Sequence, residues 1–299
     1  MPRNRPIAPE PVYGIVFWKA LSESRRHEIM TRYYRHSLPV RLMHWLNVVL
    51  LTIQLMSGLN IFNAHPALYW GEQSYGTSPP FLELQGRETD TGDVVGVTRI
   101  FGREFRTTGV LGASKNAEGE IGARGFPSWL TIPGMQWLAM ARRWHLFFAT
   151  LLAVNVACFV GYTVASGHLR RDLLPTRGDW RSIGRSIVDH LCLRRAKGDE
   201  AKRYNVLQKG AYLAVIFGLL PLIVLMGLGL SPALDALVPG WVDIFGGRQA
   251  VRSLHFIVAW ALVLFTAVHV FQVAVNGFWN NIRSMITGYF RVEAEKNHE

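Results

Sequence analysis

Four stretches of this 299-residue chain, Val40–Phe62, Trp144–Ser166, Ala211–Leu230 and Ala250–Val275, are long and apolar enough to cross a bilayer. A helix needs roughly 20 apolar residues to span the hydrocarbon core. The hydrophobic residues make up 49% of the sequence and are bunched into these segments, a distribution that separates a membrane protein from a soluble one of similar composition. The expectation is an all-α integral membrane protein, a four-helix transmembrane bundle. The leading segment, MPRNRPIAPEPVYGIVFWKA, has only a brief apolar run and no cleavage-like site, so the first span is expected to act as its own insertion signal.

Charge supplies the topology. The formal net charge of +11 would suit nucleic acid, but its distribution does not. Eight Lys/Arg lie ahead of span one or at its start (Arg3, Arg5, Lys19, Arg25, Arg26, Arg32, Arg35 and Arg41), and eleven lie between spans two and three, among them Arg170, Arg171, Arg194, Arg195, Lys202 and Arg203. The long link between spans one and two balances its cations against Glu72, Glu83, Glu88, Asp90, Asp93, Glu104, Glu118 and Glu120, and the link after span three has Arg248 alone. By the positive-inside rule both termini and the middle link are cytoplasmic, an N-in/C-in arrangement in a bacterial inner membrane. The basic residues are expected to meet anionic lipid, with no nucleic-acid partner.

This divides the chain into a cytoplasmic segment (1–39), a membrane domain (40–276) and a cytoplasmic tail (277–299). The membrane domain includes a long periplasmic cap (63–143) and a cytoplasmic link (167–210). In the cap, Val94–Ile100 and Glu104–Thr108 flank Phe101-Gly102-Arg103, the pattern of a small β-hairpin. Such a cap is either a structural lid or a docking platform for a soluble partner. Val12–Leu21 is too short to cross and is expected at the interface. In the link, Ile183, Ile187 and Leu191 recur beside Arg181, Arg185 and Arg194, and Trp279, Ile282, Ile286 and Phe290 repeat the pattern after span four. Both read as amphipathic helices lying on the membrane surface.

The chemistry lies in four histidines within the spans. His255 and His269 stand fourteen residues apart in span four, which returns them to within about 40° of one helix face, about 21 Å apart along the axis. The topology puts His255 and His145 near the periplasmic level and His44 and His269 near the cytoplasmic level. Ionisable residues inside a membrane are costly and usually functional. Two bis-histidine haem sites, one above the other, fit this arrangement. An isolated intramembrane His is more often a packing residue, zinc usually takes four ligands, and a proton relay usually recruits Asp or Glu, which these spans lack.

Arg41, Arg142 and Arg252 each precede one of His44, His145 and His255 by three residues, sharing its helix face. Arg pairs well with carboxylates such as haem propionates, although Arg at a helix end also snorkels to the interface. Gly58, fourteen residues after His44, lies at the height of the periplasmic pair, where a missing Cβ would admit a porphyrin edge; small residues serve plain helix packing too. There is no C-x-x-C-H, so covalent c-type attachment is excluded, and Cys158 and Cys192 are too far apart in the topology to pair. His36, His168 and His190 fall near the cytoplasmic surface, where solvation is the expectation and a quinone headgroup the alternative; His27, His65 and His298 carry no assignment.

RHSLPVRLMHW followed by SGL, ARRWH (Ala141–His145) opening span two, and H-x13-H in span four resemble the prokaryotic cytochrome b membrane subunits of nickel–iron hydrogenases, formate dehydrogenases and thiosulfate reductases. The resemblance covers roughly residues 36–276. It implies that His44, His145, His255 and His269 are axial iron ligands of two haems b, paired His44–His269 and His145–His255. FNAHPALYWG and FPSWLTIPG in the cap are similar to a branch that accompanies periplasmic molybdopterin oxidoreductases. The implied role is electron transfer between membrane quinone and a periplasmic redox subunit. With both axial positions filled, such a site conducts electrons and leaves bond chemistry to a partner. A haem-free membrane anchor for a periplasmic enzyme, or a small His-dependent transporter, are the competing readings.

Overall fold

The computed structural model describes residues 31–292 apart from 77, 117, 193 and 195–202. The expected interfacial segment Val12–Leu21, His27, His298 and the cations Arg3, Arg5, Lys19, Arg25, Arg26, Arg195 and Lys202 lie outside the described residues. The helices are α1 (Leu38–Asn63), α2 (Leu138–Ala165), α3 (Arg177–Arg181), α4 (Ile183–Leu191), α5 (Val206–Gly229), α6 (Pro232–Leu237), α7 (Arg248–Val275) and α8 (Phe278–Thr287). Of the described residues, α1, α2, α5 and α7 form the four helices long and apolar enough to cross a membrane.

Helix ends differ from the apolar runs where local chemistry sets them. Helix α5 starts at Val206 rather than Ala211, because Asn205 and Gln208 form a reciprocal cap. The Gln208 N–H donates to Asn205 Oδ1 (2.8 Å), and the Asn205 N–H donates to Gln208 Oε1 (3.3 Å). Farther on, α5 opens into a wide π-type turn over Ala214–Leu219, just before Pro221. Proline has no N–H to continue the ladder, and such turns mark the place where helices absorb that loss. Helix α2 begins at Leu138 rather than Trp144.

Helix α1 packs along α2, and α5 along α7. All four spans contribute to the central core: Leu50, Leu152, Val156, Leu220, Ile223, Val258 and Leu262. Outside that core, Leu42, Leu46, Val49, Leu146, Phe147, Leu264 and Phe271 are exposed, and only 11% of the apolar window of α7 is buried. Apolar surface on this scale is stable against lipid, not water. Helices α4 and α8 present exposed Ile183 and Ile187, and Trp279 and Ile286, as surface-lying amphipathic helices do. Phe290 leaves that pattern: it is buried in a strand, under the guanidinium of Arg35 at 4.8 Å.

Two ends of the bundle are distinct. At one, β1 (Thr31–Tyr34) pairs antiparallel with β8 (Tyr289–Val292), joining the segments that flank the first and last spans. At the other sits the cap, which is β-rich: β2 (Ala67–Leu68), β3 (Leu82–Glu88), β4 (Val94–Ile100) and β5 (Arg103–Arg106) form a four-stranded antiparallel sheet, while β6 (Ala113–Lys115) and β7 (Ile121–Ala123) form a second hairpin. The expected hairpin is β4–β5, turning at Phe101-Gly102 and ending at Arg106 rather than Thr108. The flanking strands β2 and β3 and the β6–β7 hairpin are additions that the sequence reading did not contain. Gly86 on β3 lets the second hairpin approach, since a Cβ there would stand 2.7 Å from Ala123 Cα.

The cap is seated on the bundle by both packing and polar pins. Leu68, Leu84 and Phe126 pack on Leu59 and Phe62 at the end of α1. Asn63, the last residue of α1, accepts from the Phe126 N–H (2.6 Å) and donates to the Phe126 carbonyl (3.2 Å). The chain from His65 to Gly71 lies along the first turns of α7: the Ala250 N–H donates to Gly71 O (3.0 Å) and Ser253 Oγ to Tyr69 O (2.7 Å).

Candidate functional site

Helices α1, α2 and α7 bring the four spanning histidines together as two pairs. The His145 and His255 rings lie 6.1 Å apart, centroid to centroid, near the cap; the His44 and His269 rings lie 6.2 Å apart near the β1–β8 end. The leucine- and valine-rich core separates the two pairs. Metal–imidazole bonds of about 2 Å on each side and about 1.1 Å from nitrogen to ring centre would put two imidazoles sharing one metal about 6.2 Å apart. Both pairs stand close to that spacing. Among the described residues no cluster of three or more His, Cys, Asp or Glu could hold a metal ion, so neither pair offers the four ligands that structural zinc prefers.

The imidazole of His145 is oriented by α1. Ser57 Oγ donates to the Ile53 carbonyl at 2.7 Å and lies 3.1 Å from His145 Nδ1. A hydroxyl has one proton, and the carbonyl can only accept. With the Ser57 proton on the Ile53 carbonyl, Nδ1 of His145 donates to Ser57 and Nε2 keeps a lone pair, the state in which imidazole ligates. Gln54 Nε2 also donates to the His145 carbonyl at 2.7 Å.

Two glycines clear space beside this pair. A Cβ on Gly58 would lie 3.2 Å from His145 Cε1, and a Cβ on Gly227 of α5 would lie 3.3 Å from His255 Cε1. Gly58 was expected at this height; Gly227 was not recognised, although a glycine inside the apolar run LIVLMGLGL is a signal of close packing. Ser57, beside Gly58 in the SGL triplet, was also missed.

The other pair is held differently. His269 stacks on Phe265 (5.7 Å, 17°) and meets Tyr212 of α5 edge-on (6.5 Å). The buried Nδ1 of His44 has no hydrogen-bond partner. Nearby, Asn155 Nδ2 clamps α2 to α1 by donating to Met43 O (3.1 Å) and Asn47 Oδ1 (2.7 Å).

The three arginines fall in different places. Arg41 donates to the Ile286 carbonyl, tying α1 to α8. Arg142 is exposed. Arg252 donates from Nη1 to Ala67 O (2.8 Å) and from Nη2 to His65 O, over the Phe62 ring, and so fastens the cap. Both of its terminal nitrogens are engaged by backbone carbonyls.

Three histidines had been placed near the opposite surface. His36 is not simply solvated there: its Nδ1 lies 3.5 Å from the Tyr204 hydroxyl, and burial, followed by the charges of Arg35 and its neighbours, pushes its pKa down to about 3. His168 Nδ1 bonds Asp172 at 2.7 Å. The side chain of His190 lies outside the described ones. Cys158 and Cys192 are both free and exposed.

Comparison with known proteins places this architecture. Residues 35–288 match the family model of prokaryotic cytochrome b561. The chain is 29% identical over 243 residues to a putative protein-methionine-sulfoxide reductase subunit YedZ1 of Azospira oryzae, covering 81% of this chain and 91% of that one. No solved structure matches. A four-helix membrane bundle with two pairs of half-buried histidines, matched over most of its length by that model, belongs to the prokaryotic cytochrome b561 family: it is an integral membrane cytochrome subunit that binds haem b and transfers electrons.

Proposed function

We propose that this chain carries two haems b and passes electrons across the bacterial inner membrane, between the quinone pool and a redox subunit docked on the cap. The membrane domain is taken as residues 40–276, with the cap periplasmic and both termini cytoplasmic, as the charge bias favours. His145 and His255 would hold one iron and His44 and His269 the other. The observation that carries this reading is the pair of imidazole spacings, 6.1 and 6.2 Å, at opposite ends of one bundle. Haem iron held between two histidines would supply one-electron redox chemistry.

The chain's own residues supply the rest. Ser57 holds the His145 ring through Nδ1, and a hydrogen bond accepted from that nitrogen would raise the basicity of Nε2. Gly58 and Gly227 keep carbon atoms out of the space beside each imidazole of the cap-side pair. The apolar core between the pairs excludes water from the middle of the bundle.

The related subunit is named for a methionine-sulfoxide reductase, and the cap sequences resemble those of subunits that accompany molybdopterin oxidoreductases. Together these support a periplasmic molybdopterin-dependent reductase as the partner. The hairpin tip, with exposed Phe101 and Phe105 beside Arg103, supplies the aromatic and Arg composition of an interface. Purified protein assayed by pyridine haemochrome should contain two non-covalent b haems per chain, both low-spin. One haem or none refutes the reading. Co-purification in mild detergent then identifies the partner and its cofactor.

A further inference from the structure

We infer that His65, which carries no assignment from the sequence, recognises a carboxylate, donating from Nε2 to a propionate of the haem at the His145–His255 pair. The inference deepens the two-haem reading and rests on it.

Position comes first. The His65 carbonyl accepts from Arg252 Nη2, and the Ala67 carbonyl accepts from Nη1 at 2.8 Å. Arg252 and His255 stand three residues apart on α7 and so share one face in successive turns. The side chain of Arg252, bonded to these carbonyls, therefore holds the His65 backbone beside the first turns of α7, on the cap side of His255.

Valence comes second. Nε2 of His65 is buried without a hydrogen-bond partner, while Nδ1 lies 3.0 Å from the Tyr75 hydroxyl. With the phenol donating to Nδ1, the ring is neutral and its one proton sits on Nε2. Burial and the charge of Arg252 favour this neutral form, against a smaller opposing pull from Glu83. A buried N–H without an acceptor is costly, and an ionised carboxylate is the strongest acceptor available to it.

Construction comes third. The His65 ring lies parallel to Tyr69 (5.8 Å, 11°), and Tyr75 reaches it from a backbone φ of +58°. A large side chain in that region is strained, and such strain persists where the surrounding structure imposes it, typically at functional positions. Arg252 spends two of its five N–H donors on the carbonyls of His65 and Ala67. His65 Nε2 supplies a further unpartnered donor beside that charge.

The test uses the full chain, purified with its haems, in His65→Phe and His65→Gln forms. Haem content is measured by pyridine haemochrome, and a redox titration is resolved into two components, the cap-side one identified by its loss in His255→Ala. An unpaired propionate stabilises ferric iron, so His65→Phe should lower the cap-side midpoint, shifting its oxidised-to-reduced ratio severalfold and leaving the other component unmoved. His65→Gln, whose amide can donate, should recover most of the shift. An unmoved cap-side midpoint in His65→Phe, equal shifts in both components, or a Gln variant as perturbed as Phe overturns the proposal. If His65→Phe loses the cap-side haem, retention in His65→Gln supports the proposal and loss in both variants overturns it. Wild-type protein without haem at this pair refutes the two-haem reading itself, and does so before any His65 variant is made.

Discussion

Gly227→Leu should remove the cap-side haem and spare the other. A Cβ at this position already stands 3.3 Å from His255 Cε1 and 3.8 Å from Nδ1, against an ordinary carbon–carbon contact of about 3.5–4.0 Å. Alanine is therefore tolerable: the crowding amounts to a few tenths of an ångström, and removing a helix-interior glycine returns about 1 kcal/mol of propensity. Leucine adds three more carbons beyond that Cβ, inside space the imidazole fills. Overpacking of this kind costs about 1–3 kcal/mol, or about 5- to 150-fold in occupancy of the site. The matched control is Gly218→Leu on the same helix, because Gly218 is exposed and a Cβ there meets nothing within 4 Å. Both variants are purified in detergent and compared by pyridine haemochrome and low-temperature difference spectra. One haem per chain in Gly227→Leu and two in Gly218→Leu is the expected result. Two unshifted haems in Gly227→Leu, or equal damage in both, would refute the reasoning.

Other perturbations follow from the same geometry. His145→Ala and His255→Ala should each delete one spectral component, and His44→Ala and His269→Ala the other, with the double variant of a pair little worse than either single one; cross-pair deletion of one component would contradict the 6.1 and 6.2 Å pairings. Phe101→Gly, at an exposed hairpin tip with φ +46°, relieves about 1 kcal/mol of backbone strain, so it should keep both haems and the cap fold while slowing electron exchange with the cap-side partner; unchanged exchange would remove the tip from the interface. Hydrogen bonds from Arg87 and Arg99 hold the Glu104 carboxyl down at about 2. A depressed carboxylate stabilises the fold above its ordinary value and loses that contribution as pH falls through the folded value. The stability difference between wild type and Glu104→Gln, followed by Trp70 fluorescence, should thus be flat above pH 5 and vanish toward pH 2; a difference that grows on acidification has the wrong sign.

The parts of this protein legible in its sequence are those governed by one-dimensional rules. Span length and helix period put His145 level with His255 and His44 level with His269, and the rings of each couple do lie within 6.2 Å. The cap resisted because its pairings are non-local. Strand β3 reads Leu-Glu-Leu-Gln-Gly-Arg-Glu, with little apolar signal, and owes its place to partners on both edges and to Ala123 seated on Gly86. The backbone contacts of Arg252 were hidden for the same reason: nothing in its own segment announces that the carbonyls of His65 and Ala67 will reach it. His36 sits among charges in the sequence, yet Tyr204, far along the chain, covers it.

Helix α7 contributes one histidine to each pair, and it follows the other three described spans in chain order. A growing chain that has inserted α1, α2 and α5 holds His44 and His145, each without its partner histidine yet synthesised. The emergence of residue 255 completes the cap-side pair, and residue 269 completes the other about four helical turns later. Only after α8 can β8 close on β1, a contact that spans nearly the whole described chain. Contacts of such long sequence separation form late. A chain cut short after α5 therefore contains neither histidine pair, and one ending between 255 and 269 contains His145–His255 alone: both pairs wait on α7.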